Sequence, residues 1–135
     1  MFRVTREIRF CYGHRLLNYN GKCRYLHGHN GKAVVTLEAL QLDRLGMVVD
    51  FTHIKNLLQT WIDETLDHKM ILHRDDPVLP ELRRQTEPVV VVDVNPTAEN
   101  IAKLIYDQAV ALGLPVIEVT LWESDHSYAT YRAGQ

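Results

Sequence analysis

Residues Phe2 to Phe10 alternate strictly, with Phe2, Val4, Arg6, Ile8 and Phe10 at the even positions and Arg3, Thr5, Glu7 and Arg9 at the odd ones. Successive side chains of a strand point to opposite faces, so this period of two predicts a half-buried strand with Arg6 as its one discord. A second strand is predicted over about residues 32–40, where Ala33, Val35, Leu37 and Ala39 share a face, with a resumption at Met47 to Val49 after a turn at Asp43 to Gly46. Two such strands commit the chain to a sheet with one face against a core. Between them, Tyr12 to Asn30 is rich in Gly, Asn and His, and it is long enough to carry a site.

The spacing then changes from two to that of a helix. Phe51, Ile54, Leu58, Trp61, Ile62 and Leu66 form one stripe, with Asp50 or Thr52 as cap and an end near Leu66. Leu72 to Pro88 holds charges and three prolines and reads as a connecting loop, and Val89 to Val94 reads as extended chain with no assigned place in a sheet. Asn95, Pro96 and Thr97 supply capping groups and a first-turn proline for a second helix striped by Ile101, Leu104, Ile105, Ala109 and Leu112, which Gly113 and Pro115 stop. Strands follow at Val116 to Glu123 and Tyr128 to Tyr131. The order ββααββ predicts an α+β fold, a four-stranded antiparallel sheet with two helices packed on one face.

With 135 residues, 46% of them hydrophobic and 24% charged, the chain has the size and composition of a single folded domain spanning residues 1–135. A formal net charge of -2 supplies no overall positive field for nucleic acid or an anionic membrane. Neither partner is expected. The N-terminus lacks the apolar stretch of a signal peptide, and no window is long enough to cross a bilayer, which predicts a cytoplasmic protein whose Cys11 and Cys23 stay reduced.

The chemistry concentrates in Cys23 to His29, CRYLHGH. In extended chain His27 and His29 project to the same face about 6.5 to 7 Å apart, close enough for two imidazoles to converge on one ion. A catalytic zinc usually takes three protein ligands, and His14 would meet the start of the second strand if the first two strands form a hairpin. Three neutral imidazoles leave the full charge on Zn2+ and favour Lewis-acid chemistry. Cys23 lies in a polar loop beside Lys22 and Arg24, a setting suited to a thiolate that removes a proton; as a fourth ligand it would instead close the site. Cys11 reads as packing. Asp67 and His68, taken alone, read as a helix-end charge and a dipole partner. Glu123 closes an apolar strand, where a carboxylate in a cleft would suit a heterocycle with two adjacent N–H donors, although glutamates at strand ends are commonly exposed.

Together, FCYGHRL, CRYLHGHN, MVVDFTHIK, LDHKMIL, NPTAEN and LWES occur in an order that resembles the 6-pyruvoyl-tetrahydropterin synthase family over nearly the whole chain. The CxxxHGH gap resembles its queuosine-pathway branch, which makes 6-carboxytetrahydropterin. The resemblance implies the tunnelling fold, with strands of several protomers joined into a barrel, two trimers stacked into a homohexamer and active sites between protomers. It further implies zinc on His14, His27 and His29, Cys23 as proton acceptor, Asp67 and His68 as a proton relay, and Glu123 as a catalytic residue that anchors the pterin ring and completes the charge relay. The implied substrate is a small pterin triphosphate, with Arg15, Lys22, Arg24 and Lys32 as candidates for holding its phosphates. Cys11 and Tyr12 stand where the family commonly has smaller residues.

Overall fold

The N-terminal alternation becomes β1 (Phe2–His14), which pairs antiparallel with β2 (His27–Ala39) from Phe2 opposite Ala39 to His14 opposite His27. Both strands exceed their predicted limits at the same end. The extension is polar, HGHNGK in β2, so hydrophobicity does not mark it; the ladder with β1 supplies the order that a polar stretch lacks. The computed structural model describes residues 1–134.

The predicted four-stranded antiparallel sheet is corrected to a six-stranded mixed one in the order β4-β3-β1-β2-β5-β6. The C-terminal strands are as expected, β5 (Val116–Trp122) antiparallel to β2 and β6 (Tyr128–Arg132) antiparallel to β5. The additions are β3 (Lys69–His73) and β4 (Val89–Val92), which run parallel to each other and to β1. Parallel strands buried between layers read as short apolar runs without alternation, and Met70 to Leu72 is too brief a run to stand out. Val89 to Val92 thus joins the sheet as its edge.

A continuous helical segment crosses the sheet face: α1 (Phe51–Ile54), a π-helical turn (Lys55–Gln59) and α2 (Thr60–Thr65). Asp50 caps it by accepting from the Thr52 N–H at 2.8 Å. Its stripe Ile54, Leu58, Ile62 and Leu66 is fully covered, each side chain contributing roughly 1.5 to 3 kcal/mol by leaving water. The Arg6 discord is met here, because its Nη2 donates to Gln59 Oε1 at 3.2 Å. The second long helix, α4 (Ala98–Ala111), is capped by Thr97, whose hydroxyl accepts from the Asn100 N–H at 3.2 Å, and it buries Ile101, Ala102, Ile105 and Ala109 in the same core.

Two local expectations are corrected. Met47 to Val49 does not resume a strand, since Asp43 closes the loop by accepting from the Leu45 and Met47 N–H groups at 2.8 and 3.0 Å. The supposed loop after Leu72 includes a short helix, α3 (Leu79–Arg84), with Pro80 in the first turn where no N–H is needed. No helix among the described residues is long and apolar enough to cross a membrane.

Candidate metal centre and active site

The register that places His14 opposite His27 and Tyr12 opposite His29 lines three imidazoles along the inner face of the β1–β2 hairpin. One ring nitrogen from each of His14, His27 and His29 lies within 4.8 Å of the other two, the only such cluster of potential metal ligands among the described residues. Nε2 of His14 and Nε2 of His29 are 3.1 Å apart. Zn–N bonds of about 2.0 to 2.1 Å in a tetrahedral site imply a nitrogen separation of roughly 3.3 Å, so this spacing fits zinc.

The protons on two of the rings are directed elsewhere. His14 Nδ1 lies 2.6 Å from the Pro96 carbonyl and His27 Nδ1 lies 2.7 Å from the Tyr25 carbonyl. A carbonyl only accepts, so each Nδ1 carries a hydrogen and Nε2 is the atom each ring can offer to a metal. Burial holds the His14 pKa below the ordinary histidine value, with His27 and His29 adding to the effect, while the Pro96 bond and Glu123 oppose it. His29 is lowered for the same leading reason, against the pull of Glu123 and with the help of His27. Convergent imidazole nitrogens are a donor set that suits a divalent transition metal.

Glu123 follows β5 into this cluster. Its Oε2 stands 3.7 Å from His14 Nε2 and 4.0 Å from His29 Nε2, and its backbone N–H is tied to the Ser127 carbonyl at 3.0 Å. The carboxylate is 28% exposed and so remains open to a ligand while bordering the metal cradle.

Cys23 sits on a 3-10 turn (Lys22–Arg24) that a hydrogen bond from the Leu16 N–H to the Cys23 carbonyl, 2.8 Å, holds against the end of β1. Its thiol does not join the three-histidine set. The closed four-ligand alternative therefore has no counterpart in this geometry.

Asp67 and His68 form the turn between α2 and β3, with His68 in the left-handed region at φ 60. The pair is anchored to Cys11, whose N–H donates to Asp67 Oδ1 at 2.8 Å and whose carbonyl accepts from the His68 N–H at 2.7 Å. His68 Nδ1 is 2.7 Å from Asp67 Oδ2. Burial tends to raise the Asp67 pKa, but the bonds from Cys11 and His68, with the charges of His68 and Lys69, leave it below the ordinary carboxylate value. His68 lines an open groove of about 580 Å3 together with His27, His29, Cys11, Asn30 and Met70. Cys11 alternates with Tyr12 and His14 along β1, so its side chain lies on the opposite face of the sheet from the imidazole cluster. No hydrogen bond or ion pair among the described residues joins His68 to the three histidines or to Cys23.

Of the proposed phosphate-binding cations, Arg15 is already paired with the buried Asp76, and Lys32 lies 5.4 Å over the Trp122 ring and 3.5 Å from Glu7. Lys22 and Arg24 stay exposed beside Cys23. Tyr12 is accommodated by Gly31, where a Cβ would lie 2.8 Å from Tyr12 Cε1, and its ring packs on Phe10, His14 and His29. The Pro96 and Tyr25 carbonyls escaped sequence reasoning because a backbone acceptor has no residue-type signature.

A mixed sheet that converges three imidazoles, with a carboxylate beside them, defines a small α+β protein with a candidate metal site. The chain belongs to the 6-pyruvoyl tetrahydropterin synthase family, whose sequence profile matches residues 3–134. It is 45% identical over 107 residues to the 6-carboxy-5,6,7,8-tetrahydropterin synthase of Rickettsia typhi, covering 76% of this chain and 75% of the relative. The protein of the same name from Aquifex aeolicus is 34% identical over 159 residues, covering 97% and 98%. In fold the chain is similar to the solved structure of Caenorhabditis elegans 6-pyruvoyl tetrahydropterin synthase, with TM-score 0.73, 23% identity and coverage of 98% and 96%.

Proposed function

We propose that this chain is a zinc-dependent 6-carboxy-5,6,7,8-tetrahydropterin synthase. It acts in cytoplasmic queuosine biosynthesis, converting 7,8-dihydroneopterin triphosphate and one water to 6-carboxy-5,6,7,8-tetrahydropterin with release of acetaldehyde and triphosphate. The observation that carries this reading is the convergence of His14, His27 and His29 in a chain 45% identical to a relative of that name.

Zinc bound by these rings supplies Lewis acidity toward the side-chain oxygens of the substrate. Cys23 Sγ accepts a proton from carbon. His68, oriented by Asp67 through Nδ1, exchanges protons with a side-chain hydroxyl through its free Nε2. Glu123 accepts hydrogen bonds from adjacent N–H groups of the pterin ring, which fixes the side chain toward the imidazole cluster. Lys22 and Arg24 meet the triphosphate at the entrance.

The site is assembled between protomers of a homohexamer, two stacked trimers whose sheets close into barrels. Two features support this assembly. No hydrogen bond or ion pair among the described residues of one chain joins Asp67 and His68 to the imidazole cluster, and β4 and β6 leave both sheet edges open for pairing. Sedimentation of the purified protein measures the mass, and a fully active monomer would refute the shared site. The activity itself is tested by incubation with 7,8-dihydroneopterin triphosphate and identification of products. Acetaldehyde and the 6-carboxy product are expected, whereas 6-pyruvoyl-tetrahydropterin without acetaldehyde would move the chain to the other branch of its family.

A further inference from the structure

The strand that delivers His14 and the loop that precedes α4 are 82 residues apart in sequence, yet they are held together at two points. The first is the bond from His14 Nδ1 to the Pro96 carbonyl at 2.6 Å. The second is the Asn95 side chain, which reaches the main chain three residues beyond His14: the Leu17 N–H donates to Asn95 Oδ1 at 2.8 Å, and Asn95 Nδ2 donates to the Leu17 carbonyl at 3.0 Å. Both halves of one carboxamide are therefore matched to both polar groups of one residue. An aspartate has no donor for the carbonyl, and an alanine has neither group.

Asn95 is itself fixed from behind. Its carbonyl accepts from Asn100 Nδ2 at 2.9 Å and from the Thr97 N–H at 2.8 Å, which ties it to the first turn of α4. Pro96, between these anchors and the histidine, has its φ locked by the ring. The peptide that presents the Pro96 carbonyl thus has little freedom to turn away. His14, only 2% exposed, has no solvent to replace that acceptor if the peptide moves.

From this closed circuit we infer that Asn95 is a positioning residue of the metal centre, which holds the Pro96 carbonyl against His14 Nδ1 and so presets the ring with its Nε2 lone pair toward the ion. The inference rests on the reading of His14, His27 and His29 as zinc ligands and adds to it a residue that touches neither metal nor substrate. Partners that orient a metal-bound histidine typically contribute 10- to 100-fold in metal affinity. Asn95 acts through one intervening peptide, so the lower end, about 10-fold, is expected.

The test compares zinc affinity, by chelator competition, in the wild-type protein and the Asn95→Ala, Asn100→Ala and His14→Ala variants, together with imidazole nitrogen spectra of the metal-free wild type above pH 7. The expected spectrum shows His14 with its hydrogen on Nδ1. Expected affinities are about 10-fold weaker for Asn95→Ala, less reduced for Asn100→Ala, and lowest for His14→Ala, with metal-free Asn95→Ala showing a mixture of His14 tautomers at a temperature where it is fully folded. A merely structural asparagine would lower the melting temperature and leave affinity and tautomer unchanged, and that result overturns the inference. Should Asn95→Ala not fold, the wild-type spectrum decides: hydrogen on Nε2 of His14 refutes it. Wild-type affinity in His14→Ala would sink the zinc reading and this inference with it, whereas wild-type affinity in Asn95→Ala beside a lost site in His14→Ala sinks the inference alone.

Discussion

Replacing Arg15 by Ala strips a buried carboxylate of its cation. The Asp76 side chain is 0% exposed, and Arg15 grips it with two bonds, one of them Nε to Oδ2 at 2.7 Å. Breaking a buried ion pair from one side costs about 3–5 kcal/mol. Two features reduce that figure: the Arg15 side chain is 22% exposed, and Asp76 Oδ1 keeps the Val78 N–H at 2.9 Å. The expected loss is therefore about 2–3 kcal/mol. For a chain of 135 residues the unfolding entropy is roughly 0.28 kcal/mol/K, so the midpoint should fall by roughly 7 to 11 °C. The pH dependence follows from the hydrogen bond of Arg15, which is the leading cause of an Asp76 pKa below the ordinary value. A depressed carboxyl pKa contributes stability above the unfolded value near 3.9, and that contribution is lost as pH falls through the folded value. The gap between wild type and Arg15→Ala should accordingly be full at pH 7 and shrink as the buffer is taken toward pH 3. Denaturant unfolding at fixed protein and zinc concentration measures it, with Arg15→Ala repeated in an Asp76→Asn background. A cost below 0.5 kcal/mol at pH 7, or the same cost in both backgrounds, would refute the assignment of Arg15 to Asp76.

Cys23→Ala should retain zinc and the oligomer while turnover falls by roughly 10²- to 10⁴-fold, the usual contribution of a general acid or base, as read by steady-state rates beside metal analysis. Loss of the metal instead would make the thiol a ligand. Cys11→Ala should cost stability more than rate, since the main chain of Cys11, not its thiol, carries the contacts to Asp67 and His68. Tyr12→Phe removes a buried hydroxyl that has no hydrogen-bond partner among the described residues and should leave stability unchanged or raise it by about 1 kcal/mol in denaturant unfolding. A loss above 1 kcal/mol would mean that the hydroxyl is satisfied.

The hairpin that builds the cradle was legible from two signals. Alternation placed β1 and β2, and the HxH spacing placed two rings on one side of β2, so the convergence with His14 needed only that the strands pair. What escaped was whatever depends on partners far along the chain. β3 is a strand because β1 offers it a parallel edge, and β4 because β3 does in turn, and five and four residues of sequence hold too little periodicity to announce it. Asp67 and His68 are neighbours that no helical geometry would bring together; a left-handed residue and two backbone bonds to Cys11 do so, and only family resemblance pointed to them. Tyr12, bulky where the family commonly has smaller residues, fits because its ring lies over Gly31, which stands opposite Phe10 and has no Cβ to meet it. Asn95 was legible as a helix-start residue, but its bonds to Leu17 were not.

The dependence of turnover on zinc is the most direct measurement of the central claim. Metal-free protein is titrated with Zn2+ while acetaldehyde release from 7,8-dihydroneopterin triphosphate is followed, and metal content is determined at each point. Activity should rise in proportion to bound zinc and level off near one ion per chain, with His14→Ala, His27→Ala and His29→Ala each binding less metal and each failing to reach the plateau. Full turnover by the metal-free protein, or a plateau unaffected by loss of any one of the three histidines, would contradict the reading of this cluster as a catalytic zinc site.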